Sequence, residues 1–325
     1  MAAITIEQFS TDLEKEWDRF VLKESTNGTF LQSRNFLNYH PEGRFKDASL
    51  VVKKGNAIVA VIPANREGQS IISHRGSTFG GVVLGKQALK VSVLEDIFKA
   101  LNDYCVENSI NEIVLKQTGN IFCKADTSLL DYFLFLNGYE VSYELGYWID
   151  YTDYPEDIIS AFSSSRRRDY RYSLKSDFTF RELTSDQDIS EFYDILCDNY
   201  TKFGKNPVHT LAELIEFKKS RLKDIVRFFG VFEENQMIAS GMTFSFDHRV
   251  IHTQYLAVRQ DKTNLFANEF LYTNLIKTGK EDGFEKFSFG TSTLESGKVL
   301  NKPLAQFKEG FGTQTFLNIT YRKKF

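Results

Sequence analysis

The order of predicted secondary-structure elements constrains this chain most, because the same order occurs twice within its 325 residues. Hydrophobic spacing predicts helices, an antiparallel strand meander, then helix, strand, helix and strand in the first half, and the order restarts near residue 151. The hairpin that turns at residues 54–56 corresponds to a second hairpin that turns at residues 234–235. This repeat predicts an α/β (α+β) fold of two tandem domains, each a mixed, mainly antiparallel sheet flanked by helices.

Length and composition agree with this interpretation. A chain of 325 residues exceeds the roughly 100–200 residues of one ordinary domain. Its 40 Lys and Arg against 43 Asp and Glu argue against a dedicated nucleic-acid binder. No basic segment followed by an apolar core opens the chain, and no apolar run reaches the roughly 18–20 residues that span a bilayer. We therefore expect a cytoplasmic protein without an integral membrane segment.

Familiar metal and phosphate motifs do not occur. The five histidines and three cysteines show no HExxH or CxxC spacing, so no metal site is predicted. The glycine-rich stretch at residues 76–81 lacks the pattern of a phosphate loop and is typical of a tight turn.

A basic segment at residues 166–175 carries aromatic residues between its charges. Arg168, Arg171 and Lys175 are spaced i, i+3 and i+7, so they share one face of a predicted helix. Arginine binds phosphate and carboxylate groups in bidentate fashion. This face is therefore either a clamp for a polyanion, such as a nucleotide-linked sugar or RNA, or a solvated basic surface.

Two stretches near the C-terminus give the strongest indication of chemistry. Residues 287–293 form a predicted strand end followed by glycine and hydroxyl side chains, and residues 300–312 include a short predicted helix with Lys308. A lysine beside a strand end can hold a carboxylate or stabilise a developing oxyanion. A helix cap with surface charges is the alternative interpretation.

These motifs, in their order along nearly the whole chain, resemble the Fem-like branch of the GNAT superfamily. That branch contains FemAB/FemX-type aminoacyltransferases and related acetyltransferase-like proteins of surface-polysaccharide pathways. The stretches that carry the resemblance are FLQS at residues 30–33, the arginine-rich helix at 166–175, KNPVHTL at 205–211, FSFGTST at 287–293, NKPL at 301–304 and FKEGFG at 307–312.

The resemblance implies two GNAT-like (acyl-CoA N-acyltransferase) domains, at residues 1–150 and 151–312, with a C-terminal strand at about residues 313–325 that returns to the first domain. The second domain would hold the acyl-transfer site. The implied reaction moves an acyl (acetyl) or aminoacyl group to an amine of a cell-envelope, peptidoglycan or polysaccharide precursor, without a covalent enzyme intermediate. The acceptor would be a small molecule or a lipid-linked glycan or peptide.

The implied donor is acetyl-CoA or another acyl-CoA. Two alternatives stay open, an aminoacyl-tRNA-dependent transferase of the peptidoglycan-bridge type and a non-catalytic tandem GNAT module that binds a precursor or a partner protein. A steep loss of RNA affinity with salt would support the tRNA-dependent alternative. A homodimer is a further expectation.

The resemblance also implies roles for individual residues. Lys308 is the first catalytic candidate, with Tyr255 as a general acid or positioning group and His209 as a base or helix cap. The cofactor-binding candidates after the central strand are Leu256, Val258, Gln260, Asn264, Ala267 and Asn268. The substrate-binding candidates are Gln32, Arg168, Arg171, Lys205, Thr291 and Asn301. Counted from Gln260, the glycine positions of the usual acetyl-CoA loop are held by Thr263 and Leu265.

Overall fold

The computed structural model describes residues 3–202 and 204–325, with Thr263 and Asn264 described by their backbone alone. None of the helices in this part of the chain combines the length and apolar composition that crossing a membrane requires.

The chain divides into two compact units. They are Met1–Leu145 with Leu294–Val299 and Phe316–Phe325 (unit 1), and Gly146–Thr293 with Leu300–Thr315 (unit 2). Both units combine sheet strands with flanking helices, so the predicted mixed α/β class is confirmed. The division into GNAT-like domains at residues 1–150 and 151–312 stays a prediction.

Up to Asp150 the chain forms short strands and four α-helices among its described residues. The strands are β1 (Ile4–Gln8), β2 (Leu50–Lys54), β3 (Ala57–Ile62), β4 (Ala64–Glu67), β5 (Ser70–Ser73), β6 (Val83–Leu84), β7 (Glu112–Lys116) and β8 (Glu140–Asp150). The helices are α1 (Glu14–Arg19), α2 (Arg34–Leu37), α3 (Val91–Glu107) and α4 (Ser128–Leu136).

After Asp150 the described part of the chain forms eight strands and five α-helices. The strands are β9 (Phe178–Leu183), β10 (Val226–Glu233), β11 (Gln236–Phe246), β12 (Val250–Val258), β13 (Lys286–Thr291), β14 (Thr293–Leu294), β15 (Val299–Leu300) and β16 (Gln314–Lys324). The helices are α5 (Ser164–Ser173), α6 (Asp186–Thr201), α7 (Leu211–Glu216), α8 (Ala267–Glu281) and α9 (Lys302–Glu309).

Unit 1 contains two sheets that share one large apolar core, and a smaller apolar cluster around Trp17 packs on the first sheet. One sheet has the order β1-β2-β3-β6, and the other has the order β4-β5-β7-β16 and continues into the first half of β8. The helix α3 buries Leu94, Ile97, Phe98 and Leu101 in the core, which is the face that its helical spacing predicts.

Unit 2 contains a sheet in the order β8-β13-β12-β11-β10-β9, to which β8 contributes its second half. The antiparallel meander β10-β11-β12 is confirmed as predicted. The edge strand β9 was not expected, although Phe178 and Phe180 alternate with polar residues there. The helix α8 crosses between β12 and β13, because these two strands are parallel and need a long connection.

The entry into unit 2 differs from its prediction. Hydrophobic spacing predicts a helix that begins at Pro155, but only a short 3-10 turn, Ile158–Ala161, forms there. The helix α5 begins later because the Ser163 hydroxyl accepts a hydrogen bond from the Arg166 N–H at 3.2 Å. This late start decides which arginine of the basic segment faces inward.

Candidate functional site

The parallel strands β12 and β13 separate after three paired residues. The pairing joins Val250 to Lys286 and ends with His252 opposite Ser288. The register on the other side of β12 then shifts, so that Gln254 is an extra residue in that strand. Such a bulge bends a strand. The two strands therefore part at their carboxyl ends, which is where ligands bind in sheets with parallel strands.

A cavity of about 670 Å³ lies where the strands part. This volume is in the range of small-molecule sites. Its wall is built from β12, α8, β13 and α9, with Asn199 of α6 at its edge. The predicted site residues on that wall are Leu256, Val258, Asn268, Asn301 and Lys308.

Lys308 is the buried cation of this cavity. Asn301 caps α9 by accepting a hydrogen bond from the Leu304 N–H at 3.3 Å, and the helix then places Lys308 on its buried face. The Lys308 side chain is only 3% exposed. Its Nζ donates to the carbonyl oxygens of Gly290 at 3.1 Å and Thr291 at 2.7 Å. These carbonyls end β13, where Gly290 has a φ of +70° that glycine adopts without strain.

The amine of Lys308 has an unusual protonation equilibrium. Among the side chains that the structure describes, no carboxylate forms an ion pair with it. Burial lowers the pKa of Lys308 to about 7, because the charged form loses its hydration. As an ammonium group it has a third N–H for a ligand oxygen, whereas as a neutral amine it has a lone pair.

A second charged group on the cavity wall is Glu269 of α8, which pairs with Arg166 of α5. Arg166 also donates from Nη2 to the Phe307 carbonyl at 3.3 Å and lies 4.1 Å from the Phe307 ring centre. Burial raises the pKa of Glu269, and the positive charge of Arg166 opposes that shift. Arg166 thus joins three helices around the cavity.

Arg168 and Arg171, the predicted substrate-binding residues of the basic segment, are not its buried arginines, and their role stays a prediction. Arg168 is exposed and pairs with its neighbour Asp169, and Arg171 is exposed as well. The buried residues of α5 are Arg166, Tyr170 and Ser173. Their i, i+4, i+7 spacing is a helical stripe that marks the inward face, so the signal was present in the sequence.

Tyr255 and His209 lie together, but away from the wall of the Lys308 cavity. The Tyr255 hydroxyl and His209 Nδ1 share a hydrogen bond of 2.7 Å, and burial raises the pKa of Tyr255. His209 does not cap the following helix, because the Thr210 hydroxyl accepts the Glu213 N–H at 3.3 Å. Their catalytic roles stay predictions.

We expect Tyr255→Phe to lower the free energy of unfolding by about 1 kcal/mol or more, because it removes the hydroxyl that is hydrogen-bonded to His209 Nδ1. Chemical denaturation measures this loss. Tyr172→Phe is the matched control, since Tyr172 is 43% exposed. Equal stability of the two variants would contradict the structural role of the Tyr255–His209 contact.

The segment between β12 and α8 differs from the usual acetyl-CoA loop in the position of its positive φ. The positive φ that favours glycine occurs at Phe266, with a φ of +58°, and not at Thr263 or Leu265. A non-glycine residue in this conformation costs about 1–2 kcal/mol. The Phe266 ring stacks on Tyr172 at 5.6 Å. The Phe266 side chain makes no capping hydrogen bond to α8.

The cofactor candidates of this segment have different positions. Ala267 is buried at the start of α8, and Asn268 lines the cavity. Gln260 is exposed and donates from Nε2 to the Asp198 carbonyl at 3.2 Å. The side chain of Asn264 lies outside the described residues.

Two substrate candidates, Gln32 and Thr291, make contacts within the protein's own structure. Gln32 is fully buried in unit 1, where its carbonyl accepts from the Thr29 N–H and hydroxyl and its amide donates to Gly80 O and Thr118 Oγ1. All of its hydrogen-bonding groups are therefore used internally. The Thr291 carbonyl holds Lys308, and Lys205 is exposed. The structure brings neither Gln32 nor Lys205 to the cavity wall.

Comparison with known proteins supports the fold. No family model matches the chain, and no curated protein matches it in sequence. The structure is similar to FemX, with a TM-score of 0.69 and 10% identity over 98% of this chain and 97% of that one. It is also similar to the C-terminal domain of a putative lysylphosphatidylglycerol synthetase from Agrobacterium fabrum, with a TM-score of 0.60 and 9% identity over 97% and 93%.

A tandem GNAT protein from the clavulanic acid biosynthesis pathway is similar over 99% of this chain and 98% of that one, with a TM-score of 0.57 and 7% identity. At these identities the similarity concerns the fold. The chain has the tandem GNAT fold that FemX shares, so the predicted fold and its resemblance to the Fem-like branch are confirmed at that level.

Proposed function

We propose that this chain is an acyltransferase that moves an acyl (acetyl) or aminoacyl group to an amine of a cell-envelope, peptidoglycan or polysaccharide precursor. The observation that carries the proposal is Lys308, a buried amine held by two backbone carbonyls on the wall of a cavity at the ends of β12 and β13. Such a group can donate a hydrogen bond where negative charge develops during acyl transfer.

The cavity fits the acyl end of a CoA thioester. Beyond His252 the β12 edge no longer pairs with β13, so its backbone can bind an extended amide chain as an added strand would. Leu256, Val258 and Phe289 supply apolar surface. The open N-terminus of α8, beside Asn268, would hold the phosphate groups. When bound, the donor supplies a thioester carbonyl to this cavity.

Different residues of the cavity have different roles in the proposed reaction. In its ammonium form Lys308 donates its third N–H to the carbonyl oxygen and stabilises the charge that develops there. The carboxylate of Glu269 lies on the same wall and can accept a proton from the acceptor amine, since burial raises its pKa. The β12 edge orients the acyl chain against these two groups.

The donor and acceptor classes rest on resemblance. One similar protein is named as a putative lysylphosphatidylglycerol synthetase, and that name refers to an aminoacyl group. We therefore retain an aminoacyl donor as an alternative to an acyl-CoA. The cell-envelope acceptor follows from the sequence resemblance to the Fem-like branch. A tRNA donor, a homodimer and polyanion binding by Arg168 and Arg171 stay predictions.

Calorimetric titration with acetyl-CoA tests the proposal. We expect micromolar, saturable binding to the wild type and at least about tenfold weaker binding to Leu256→Trp, because the larger ring fills the cavity. Leu317→Trp is the matched control, since Leu317 is exposed on β16 in the other unit. Binding that is equal in both variants would place the ligand elsewhere.

An absence of heat with the wild type would contradict the acyl-CoA donor. Titration with an aminoacyl-tRNA across a salt series would then decide between the tRNA-dependent transferase and the non-catalytic module.

A further inference from the structure

Lys308 has the geometry of a nucleophile as well as that of a hydrogen-bond donor. Its two bonds, to Gly290 O at 3.1 Å and Thr291 O at 2.7 Å, use both N–H groups of a neutral amine. The lone pair of that amine is then directed away from both carbonyls. Lys308 forms part of the cavity wall, so a molecule in the cavity lies next to this residue.

We propose that Lys308 is a self-acylation site, at which its neutral amine takes the acyl group of a thioester bound in the cavity and the resulting amide blocks acyl transfer. The proposal rests on the proposed function for the presence of a thioester in this cavity. A desolvated lysine is a known type of nucleophile toward carbonyl compounds.

The charged and titratable groups around Lys308 do not hold it in the ammonium form. They are His252 of β12, Glu269 and Tyr272 of α8, Arg166 of α5, and Glu309 and Lys302 of α9. His252 is neutral at working pH because burial lowers its pKa to about 3. Glu269 is paired with Arg166, and Glu309 accepts a hydrogen bond from the Tyr147 hydroxyl at 3.1 Å. Burial raises the pKa of Tyr272.

The step balances without another reactant. Lys308 Nζ forms a bond to the carbonyl carbon, the C–S bond breaks, and the thiolate leaves with the bond pair. The nitrogen gives up one proton, which the thiolate takes. The product is a neutral amide with one N–H, so one of the two backbone carbonyls loses its donor. An amide nitrogen is not protonated near neutral pH, so it cannot supply the charge that transfer requires.

Transfer and self-acylation therefore depend on opposite protonation states of one residue. Transfer needs the ammonium form and should decline above about pH 7, whereas self-acylation needs the neutral amine and should rise toward a plateau there. Near neutral pH about half of Lys308 is neutral, against about one part in 2,500 for an ordinary lysine in water.

The test is incubation of the wild type, without acceptor, with acetyl-CoA and separately with the acetyl thioester of N-acetylcysteamine. Intact mass and peptide mapping follow the product. We expect one acetyl group at Lys308, added at least about tenfold faster than at Lys302 and about tenfold faster at about pH 9 than at about pH 6. Lys302 is the internal control, because it is exposed on the same helix. Lys308→Arg should lose the acetyl group at this position, and acetylation of the other lysines should not change.

The outcomes separate the two proposals. Loss of transfer activity in proportion to acetyl-Lys308 supports self-acylation. Modification of Lys302 before Lys308, or an unmodified Lys308 with both thioesters, overturns it even if transfer to an acceptor proceeds. Modification of Lys308 by the small thioester, with no transfer to any acceptor, supports the reactive amine and contradicts the proposed enzyme.

Discussion

Lys308→Met is expected to lower kcat for acyl transfer about 100-fold to 1,000-fold, while the dissociation constant of the acyl donor changes little. The reason is that the ammonium group interacts with charge that develops in the transition state and much less with the ground state. Methionine keeps a long flexible side chain in the cavity and removes the amine. Steady-state kinetics together with donor titration distinguish the two effects.

Lys302→Met is the matched control for this substitution, because it lies on α9 and faces solvent. We expect its kcat to equal that of the wild type. The wild type should also lose activity as the pH rises through about 7, since Lys308 then loses its proton, and Lys308→Met should lack this step. An unchanged kcat in a folded Lys308→Met protein would exclude Lys308 from the reaction.

Arg166→Met is expected to lower the free energy of unfolding by about 3–5 kcal/mol. The substitution leaves the buried carboxylate of Glu269 without its partner and also removes the contact with the Phe307 carbonyl. Urea denaturation at neutral pH measures the loss. Removal of a surface charge has a much smaller effect on stability. Arg168 faces solvent on the same helix, so Arg168→Met should lower the free energy of unfolding by less than about 1 kcal/mol.

The double variant Arg166→Met with Glu269→Leu tests the cause of that loss. Replacing both partners of a buried ion pair by apolar residues is often neutral, so we expect most of the stability to return. If the double variant is as unstable as Arg166→Met alone, the lost stability comes from the packing of the arginine on the Phe307 ring. The unpaired carboxylate of Glu269 would then not be its cause.

We expect the stability of unit 2 and its proposed activity to be linked at α9. Arg166 contacts the backbone of α9 one residue before Lys308, and Glu269 lies on the wall of the same cavity. A change at Arg166 is thus expected to alter the position of the amine as well as the stability of the unit.

Local sequence patterns determined much of the fold. The spacing of apolar residues identified the helix α3 with the face that it buries, and it identified the strands of the meander β10-β11-β12. The same patterns placed Lys308 on a short helix after a strand end. These features depend on residues that are close together in the sequence. A periodic pattern of apolar residues can therefore predict them.

Only the tertiary structure decided what the site residues contact. Arg166 meets Glu269 across 103 positions of sequence, and Gln32 meets Thr118 across 86, so no local pattern could identify these partners or assign Gln32 to internal packing. The pKa of Lys308 near 7 follows from loss of hydration, which depends on everything packed around the amine. The sequence by itself determined which residue types the chain offers for acyl transfer, and packing decided which of them are desolvated, paired and placed at one cavity.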